Sequence, residues 1–476
     1  MAMLLLVCLL GLASWGIESL DTPPRTLARY VEHRTEGHSA WVVESGRRLA
    51  NFLSWLDRPT GPQPTPADLW HGARTAKGEP SNTPAAHPRV VLVATTADAA
   101  RAIEAAQPGD AITFMPGTYR FADSNIAARR AGTAAAGITV RAEQPGTVNL
   151  EFDIPEGFVV SQPYWTFENL NIRGVCRRHT DCEHAFHVVA QGAHFVALRN
   201  KITDFNAHFK INGSEGAFPD DGLIEANTLG NSSIRETDSS VTPIDLVGAS
   251  RWAVRNNWIS DFVKSGSNRV SYGAFAKGGG TANLFERNVV QCERVLRGAE
   301  GQRIGISLGG GGTGKQFCRD GRCITEQDAG IVRANLIMSC SDDGIYVNRS
   351  AGSQIHHNTL IDTAGISVRF AQSSADVTGN LVDGTIRTRD GSALHASDNF
   401  ETALTSLYLG WHPVRGLFRN VAEFDLRWAE GPPRRQQPGN TAPDLCGSDR
   451  PAQPAYGAFE DFAACLRPAD AKGLPR

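Results

Sequence analysis

The chain has 476 residues, of which 41% are hydrophobic, so it carries enough apolar side chains for a large folded core. Its 48 glycines against 4 methionines favour turn-rich β structure over a bundle of helices. With 47 basic and 50 acidic residues the net charge is -3, so overall charge attracts no polyanion and we do not expect nucleic-acid binding. Any acidic ligand must therefore be recognised by a local group of basic residues.

Residues 3–15 (MLLLVCLLGLASW) form an apolar run at the start of the sequence. The run is shorter than the roughly 20 residues that cross a bilayer as a helix, but it suits the core of a signal peptide. We therefore predict that residues 1–20 are a signal peptide or a membrane anchor. The protein is then expected to be periplasmic or secreted, or held at the membrane by this segment. A buried N-terminal helix is the alternative.

Residues 21–57 carry apolar side chains at helical spacing and are predicted to be a helical segment, either amphipathic beside a membrane or packed on the body. Residues 58–88 are rich in proline and poor in large apolar side chains, which predicts a linker. Order resumes at Arg89, and residues 96–106 favour a short helix before strands separated by Pro-Gly turns. Such a helix suits an N-terminal cap, because the first coil of a stack otherwise exposes an apolar end.

Short strands led by an asparagine recur through the middle of the chain, and such recurrence is the signature of a solenoid. Asparagine suits the bends because it tolerates left-handed φ and its amide can bond to backbone, and amides stacked in successive coils can form a ladder. A long gap places an insertion at about residues 309–328. The strands begin at Asn200, Asn227, Asn257, Asn288, Asn335, Asn358 and Asn380, with spacings of 27, 30, 31, 47, 23 and 22 residues.

Near the end of the chain, Tyr456-Gly-Ala-Phe-Glu460 resembles the closing segment of bacterial right-handed parallel β-helix proteins. The resemblance implies an all-β fold, a right-handed parallel β-helix with an N-terminal capping helix. It would occupy residues 89–425, and residues 426–476 would close the stack.

Eight of the nine cysteines lie outside the N-terminal apolar run that holds Cys8, and an even number favours pairing. No Cys-x-x-Cys pair occurs, so disulfides formed outside the cytoplasm are favoured over a metal site. Two pairs are close in sequence, one pair follows asparagine-led strands, and one pair would tie down the tail. The candidates are Cys176 with Cys182, Cys318 with Cys323, Cys292 with Cys340, and Cys446 with Cys465.

Four apolar runs end in a polar or basic residue, at Lys277, Arg297, Asn348 and Arg369. Since successive coils lie ~4.8 Å apart, residues at one place in the repeat form a column, and outward ones line a surface along the solenoid. The later coils are then the basic ones, which suits an acidic polysaccharide, with Asn348, Arg349 and Arg369 as substrate-binding residues. The alternative is that these charges only aid solubility. Earlier coils hold Val189 or Ala190, Ile211 or Asn212, and Leu246 or Val247 at this place.

Lys277 in Phe-Ala-Lys-Gly-Gly-Gly, followed by Leu296-Arg297-Gly, resembles the Lys and Leu-Arg pair of chondroitinase B-like and alginate lyases, polysaccharide lyase family six. The early Pro-Gly turns are similar to the opening coils of that family. The resemblance implies β-elimination of a uronic acid polymer, with Lys277 as the base and Arg297 as the acid or charge stabiliser.

The family usually carries acidic calcium ligands shortly before the lysine, and Val270 and Tyr272 stand there in this chain, with Gly278 in place of a serine after the lysine. We therefore assign no metal ligand and leave calcium as an open alternative.

Two further motifs occur in the sequence. Residues 309–315 (GGGGTGK) imitate a phosphate-binding loop, but Gln316 replaces the required Ser or Thr, so a loop beside the surface and pinned by a disulfide is favoured. Asp342-Asp343-Gly suggests the paired acids of polygalacturonase-type hydrolases, with a turn as the alternative.

We therefore expect a monomeric lyase acting on an acidic polysaccharide. The alternatives are a non-catalytic glycan-binding or adhesin-like β-helix, and a glycoside hydrolase or epimerase on the same fold.

Overall fold

The computed structural model describes residues 21–57, 89–310, 312–436 and 442–466. The predicted signal peptide and linker, residues 1–20 and 58–88, lie outside the described residues. The body is a stack of coils that supply strands to three long sheets, here named A, B and C, with twelve, ten and eleven strands in the described chain. All pairings within these sheets are parallel, as in Val247 beside Lys277. The predicted right-handed parallel β-helix is confirmed.

The strands of each sheet follow one another in stacking order. Sheet A consists of Arg89–Val93, Asp110–Phe114, Ile138–Ala142, Trp165–Glu168, Val196–Leu198, Leu223–Glu225, Ala253–Arg255, Leu284–Glu286, Ile331–Arg333, Ser353–His356, Ser374–Thr378 and Ala393–Ser397. Sheet B consists of Ile126–Ala128, Glu156–Val160, His184–Val189, Ala207–Asn212, Ile244–Val247, Val270–Lys277, Gln302–Leu308, Ile345–Asn348, Gly365–Arg369 and Thr385–Arg389. Sheet C consists of Gly117–Phe121, Val148–Phe152, Asn171–Gly174, Lys201–Thr203, Thr228–Gly230, Trp258–Ser260, Val289–Gln291, Leu336–Met338, Thr359–Ile361, Leu381–Val382 and Phe400–Glu401.

Smaller elements lie around the three sheets. A short parallel sheet contains Gly280–Thr281, Gln327–Asp328 and Ser350–Ala351, and an antiparallel pair contains Phe418–Asn420 and Asp425–Trp428. The described α-helices are Pro24–Thr35, Ala40–Asp57, Thr96–Glu104, Leu404–Tyr408, Pro413–Gly416 and Phe462–Cys465. Single 3-10 turns occur at His179–Asp181, Lys315–Phe317 and Val421–Glu423.

The core fills the inside of the coils with stacked apolar side chains. In the early coils aromatic rings stack along sheet B, with Phe186 between Phe158 and Phe209 at centroid distances of 5.1 and 5.3 Å. Later coils carry Ile306 and Ile345 on the inner face of sheet B, and both are fully buried. Because side chains alternate along a strand, the residues between these inner positions face outward.

An asparagine ladder runs along the bends between sheets A and C. Each side-chain amide donates to the side-chain oxygen of the next asparagine, from Asn200 at 3.1 Å to the step that ends on Asn399 at 2.9 Å. The ladder therefore extends one coil beyond the predicted asparagines. The left-handed residue at each bend is the one before the asparagine, such as Arg199 with φ of 53° or Ala226 with φ of 56°. Hydrogen bonding, rather than a left-handed backbone, explains asparagine at these places.

The predicted capping helix is Thr96–Glu104. The Thr95 side chain accepts a hydrogen bond from the Asp98 backbone N–H at its start, and Ala99 and Ile103 are fully buried against the first coils. An N-cap threonine satisfies one of the helix's free N–H groups, and the buried pair covers the apolar end of the stack.

The two N-terminal helices, Pro24–Thr35 and Ala40–Asp57, pack against the later coils. The buried guanidinium of Arg25 donates to the carbonyl of Cys340 at 2.8 Å and to the carboxylates of Asp57 and Asp362 at 2.7 and 3.1 Å. The sequence left open whether this segment lies beside a membrane or packs on the body, and in the structure it packs on the body. Among the described residues, no helix combines the length and apolar character needed to cross a membrane.

All four predicted disulfides are formed, and they are compatible with a periplasmic or extracellular protein. The Cys446–Cys465 bond holds the tail, where Phe459 and Phe462 pack with Trp258 from sheet C. The tail was expected to finish the end of the stack. It covers the outer face of sheet C instead, because that face carries a row of apolar side chains that needs burial.

Candidate functional site

The outer face of sheet B carries the predicted site residues. In the strand Val270–Lys277, Ala274 and Ala276 face the core, so Phe275 and Lys277 alternate with them and face outward. The strand pairings then fix which residues stand beside Lys277 in the neighbouring coils. The resulting lysine column contains Asn212, Val247, Lys277, Gly309, Asn348, Arg369 and Arg389.

Arg297 does not belong to the lysine column, and the alignment that placed it one coil after Lys277 is wrong. Ala276 pairs with Leu308, so Gly309 occupies that place. Arg297 lies in the loop before the strand Gln302–Leu308, whose first residue pairs with Val270. Val270 begins the strand that Lys277 ends, so Arg297 precedes the opposite end of these strands from Lys277. Its Nε donates to the carbonyl of Arg294 at 3.0 Å.

The side chain of Lys277 lies against an aromatic ring. Its Nζ is 4.5 Å from the ring centroid of Phe275, a cation–π contact. Within the described part of the chain Lys277 has no ion-pair partner, whereas Lys210 pairs with Asp245 at 2.9 Å. The Lys277 amine is therefore available to a ligand on this face.

The insertion at residues 309–326 is fastened around Lys277. The buried carboxylate of Glu326 accepts hydrogen bonds from the backbone N–H of Gly278 at 3.0 Å and from the hydroxyl of Thr313 at 2.7 Å. Arg319 adds two contacts, its N–H to the Gly278 carbonyl at 2.8 Å and its Nε to the Gly248 carbonyl at 2.7 Å. The glycine-rich run therefore forms one wall beside the lysine, as expected for a loop flanking the site.

Gly310 lies close to the side chain of Lys277. A Cβ at this position would lie 3.1 Å from Cδ of Lys277, closer than ordinary van der Waals contact. A larger residue would require the lysine side chain to shift by a few tenths of an ångström.

The later coils bring the predicted substrate-binding residues together. Asn348 and Arg369 are paired neighbours in the lysine column, and Arg349 follows Asn348. The guanidiniums of Arg349 and Arg369 lie 5.4 and 4.6 Å from the ring centroid of Phe370. The buried Oδ1 of Asn348 has no hydrogen-bond partner among the described residues. Arg369 also pairs with Asp390, and its guanidinium opposes the rise that burial causes in the pKa of the nearby Tyr346 hydroxyl.

A second outward column, two residues earlier in each strand, was missed by the sequence reasoning. It also contains polar and ionisable side chains, and we name it the tyrosine column. The sequence feature that could have revealed this column is the alternation within the strands, in which a polar residue stands between apolar ones. The column contains His187, Lys210, Asp245, Phe275, Ser307, Tyr346, Ser367 and Arg387.

The Asp342-Asp343 pair is buried at the start of the strand Ile345–Asn348. Burial raises the pKa of Asp343 to about 6, with Arg387 opposing the rise and Asp342 adding to it. Arg387 donates a hydrogen bond to the Asp343 carboxylate. Burial also raises the pKa of the neighbouring Tyr272 and Tyr346 hydroxyls, so both are protonated at neutral pH.

The residues around Lys277 do not fit a calcium site. Val270 and Tyr272, on the strand that ends at Lys277, carry no carboxylate. Glu326 accepts hydrogen bonds from backbone N–H groups and from Thr313. One oxygen of Asp245 pairs with Lys210, and its buried Oδ1 has no hydrogen-bond partner among the described residues. Calcium prefers six to eight oxygen ligands, which these side chains do not supply.

Several solved structures resemble this fold. Pectate lyase Pel9A matches with a TM-score of 0.51 and 14% sequence identity, over 78% of this chain and 96% of that chain. An alginate lyase from a Paenibacillus species matches with a TM-score of 0.38 and 15% identity, over 66% of this chain and 95% of that one. A lacto-N-biosidase from Eubacterium ramulus matches with a TM-score of 0.42 and 10% identity, over 76% and 72%.

No protein-family model matches the sequence, and no curated protein matches it either. At these identities a structural likeness establishes the fold alone. The chain therefore has the right-handed parallel β-helix fold, which it shares with pectate lyase Pel9A.

Proposed function

We propose that the protein is a polysaccharide lyase-like enzyme that cleaves a uronate-containing polysaccharide by β-elimination, with Lys277 as the base. The supporting observation is the lysine column. It sets an amine without a carboxylate partner among the described residues in line with Asn348 and Arg369. Three strand spacings separate Lys277 from Arg369, about 14 Å along the solenoid. A polymer lying along sheet B would contact both.

The chemistry assigns a task to each of these residues. The C5 proton of a uronate is α to a carboxylate, and it becomes acidic enough to remove only when the carboxylate charge is offset. Arg369 and Asn348, about 14 and 10 Å along the face from the level of Lys277, supply a cation and an amide to carboxylates of the bound polymer. Lys277 Nζ takes the C5 proton. The electron pair forms the C4–C5 double bond, and the bond from C4 to the linking oxygen breaks.

The leaving oxygen needs a proton, and Tyr346 is the donor that we propose. Its hydroxyl is protonated at neutral pH, because burial raises its pKa. It stands two strands from the level of Lys277 and on the same face. This assignment replaces Arg297, which lies at the opposite end of the strand.

The four disulfides support action outside the cytoplasm, where such polymers occur, and we propose that the protein is periplasmic or secreted. An N-terminal membrane anchor and a monomeric state stay predictions from the sequence.

The proposal is tested by incubating the purified protein with alginate, pectate and glycosaminoglycans while following the ultraviolet absorbance of the unsaturated product. Lys277→Ala should abolish the signal on the polymer that wild type cleaves. Lys201→Ala is the matched control, since Lys201 is an exposed lysine on sheet C. Full activity of K277A would overturn the proposal.

Other outcomes identify the alternatives. Tight polymer binding with no product favours a non-catalytic glycan-binding protein. New reducing ends without ultraviolet absorbance favour a hydrolase, for which Asp343 becomes the residue to replace. Inversion at C5 without chain cleavage favours an epimerase.

A further inference from the structure

Three potential metal ligands meet on the outer face of sheet B, at its early coils. Glu156 pairs in register with His184, and His187 follows on the same strand. Nδ1 of His187 lies 2.8 Å from Oε1 of Glu156, and Nδ1 of His184 lies 3.4 Å from the same oxygen. One ligand atom from each residue falls within 4.8 Å of the others. The side chains are 18 to 29% exposed, so solvent ions reach them.

A fourth residue fixes the orientation of His187. Its Nε2 lies 2.9 Å from Oδ1 of Asn212, and Nδ2 of Asn212 donates to the carbonyl of Gly213 at 3.1 Å. The second contact sets the amide so that its oxygen faces the imidazole. Nε2 of His187 must therefore carry the hydrogen and donate it to Asn212. The other ring nitrogen, Nδ1, is left to face the Glu156 carboxylate.

His187 Nδ1 and the Glu156 carboxylate are placed so that a cation could bind both. A neutral imidazole in this tautomer presents a lone pair at Nδ1, and two acceptor atoms 2.8 Å apart repel unless a proton or a metal ion lies between them. His184 directs its Nδ1 at the same oxygen. His184 can donate from Nδ1 in its neutral tautomer, so its contact with Glu156 needs no additional proton. A divalent cation serves all three ligands at once.

We propose that Glu156, His184 and His187 bind a divalent transition-metal ion of the zinc type, with Asn212 orienting His187 from behind. Imidazole nitrogen and carboxylate oxygen are ligands that zinc prefers, whereas calcium and magnesium prefer oxygen alone. Tetrahedral ligands at about 2.0–2.1 Å from zinc stand roughly 3.3 Å apart. The His184 distance already fits this separation, and His187 fits after a shift of about half an ångström.

Three protein ligands leave one position of a tetrahedral ion open. His187 belongs to the tyrosine column, three strands before Phe275, so the ion lies about 14 Å along the same face from the level of Phe275. The open position takes an anionic oxygen, and the carboxylate of a sugar acid lying along sheet B is the class of ligand it fits. Metal binding by the three residues does not rest on the proposed lyase activity.

The test uses the full-length protein without a histidine tag, stripped with a chelator and titrated with zinc chloride in a calorimeter. We expect one equivalent of zinc to bind and the thermal midpoint to rise, since a ligand that binds only the folded state stabilises it. Glu156→Gln and His187→Ala should each abolish this binding. Asn212→Ala should weaken it by about ten- to a hundredfold, as loss of an outer hydrogen bond to a metal ligand does.

His395→Ala is the matched control, because His395 is exposed and contacts a single carboxylate, that of Asp376, at 2.7 Å. It should bind zinc as wild type does. The proposal is overturned if wild type binds no zinc, or if E156Q and H187A bind it as tightly as wild type. If a variant does not fold, the visible absorption of wild-type protein titrated with cobalt gives a second test. Absorption bands of bound cobalt support the site, and their absence overturns it. No polysaccharide is present in these experiments, so their result is independent of the lyase assay.

Discussion

Lys277 and Arg369 lie in one column on the outer face of sheet B, three strands apart, with Gly309 and Asn348 between them. The chain passes too close to Asn348 at Gly309 for a side chain, since a Cβ there would overlap the Asn348 carbonyl oxygen. This relationship connects the proposed base to the proposed carboxylate-binding groups, and it makes the roles of the individual residues separable by mutation.

Removing the amine of Lys277 should lower kcat for polymer cleavage by about 10²–10⁴-fold, the usual contribution of a general base. The stability of Lys277→Ala should stay close to wild type, since the side chain makes no ion pair among the described residues. Steady-state kinetics and urea unfolding check both parts. An equal loss of activity in Lys201→Ala would show that the effect is not specific to the column.

Tyr346→Phe and Arg369→Ala should have different kinetic signatures. Loss of the Tyr346 hydroxyl removes the proposed proton donor and should lower kcat with little change in KM. Loss of the Arg369 guanidinium removes binding to the substrate carboxylate and should raise KM as well. Initial rates over a range of polymer concentrations separate the two. If Y346F keeps the wild-type kcat, Tyr346 is not the acid.

Asn288→Ala should interrupt the asparagine ladder at a fully buried position. The change leaves neighbouring amide and backbone groups without their partner, which costs about 1–3 kcal/mol in the free energy of unfolding. Asn399→Ala, at the half-buried end of the ladder, should cost less. Urea midpoints at a constant m-value measure the difference. Equal losses in the two variants would contradict a role for burial.

Arg25→Ala should release the helix pair from the coils. It removes a guanidinium buried between Asp57 and Asp362 and leaves both carboxylates buried without it, which costs about 3–5 kcal/mol of local stability. Hydrogen exchange of residues 24–57 should accelerate while sheet B stays protected. Arg48→Ala, on the exposed side of the second helix, is the control and should leave exchange unchanged.

Acid should destabilise the protein through His208. Burial lowers the pKa of His208 from 6.5 to about 3, so the folded state binds fewer protons than the unfolded state between these values. Stability is therefore complete above pH 6.5 and is lost as the pH falls below it, by at most about 1.4 kcal/mol per pH unit for this one group. His208→Gln should show a shallower fall in the free energy of unfolding over that window. An unchanged slope would show that His208 does not contribute.

The repeat itself was readable from the sequence. Each coil makes the same bends, so asparagines recur at each turn, and the cysteines Cys292 and Cys340 recur at equivalent places. These repeats are visible in the sequence because equivalent positions in successive coils have the same neighbours above and below, and so favour the same residue types. The solenoid, the ladder and the four disulfides therefore followed from the sequence.

Which residues share a column was decided by the tertiary structure. Register between coils depends on the lengths of the loops that join strands, and the chain around Arg297 consists of loops of unequal length. As a result Gly309, rather than Arg297, stands beside Lys277, and Glu156 meets His187 from a different coil. Side chains distant in sequence become neighbours only when backbone hydrogen bonds fix one coil upon the next, and no local pattern records that register.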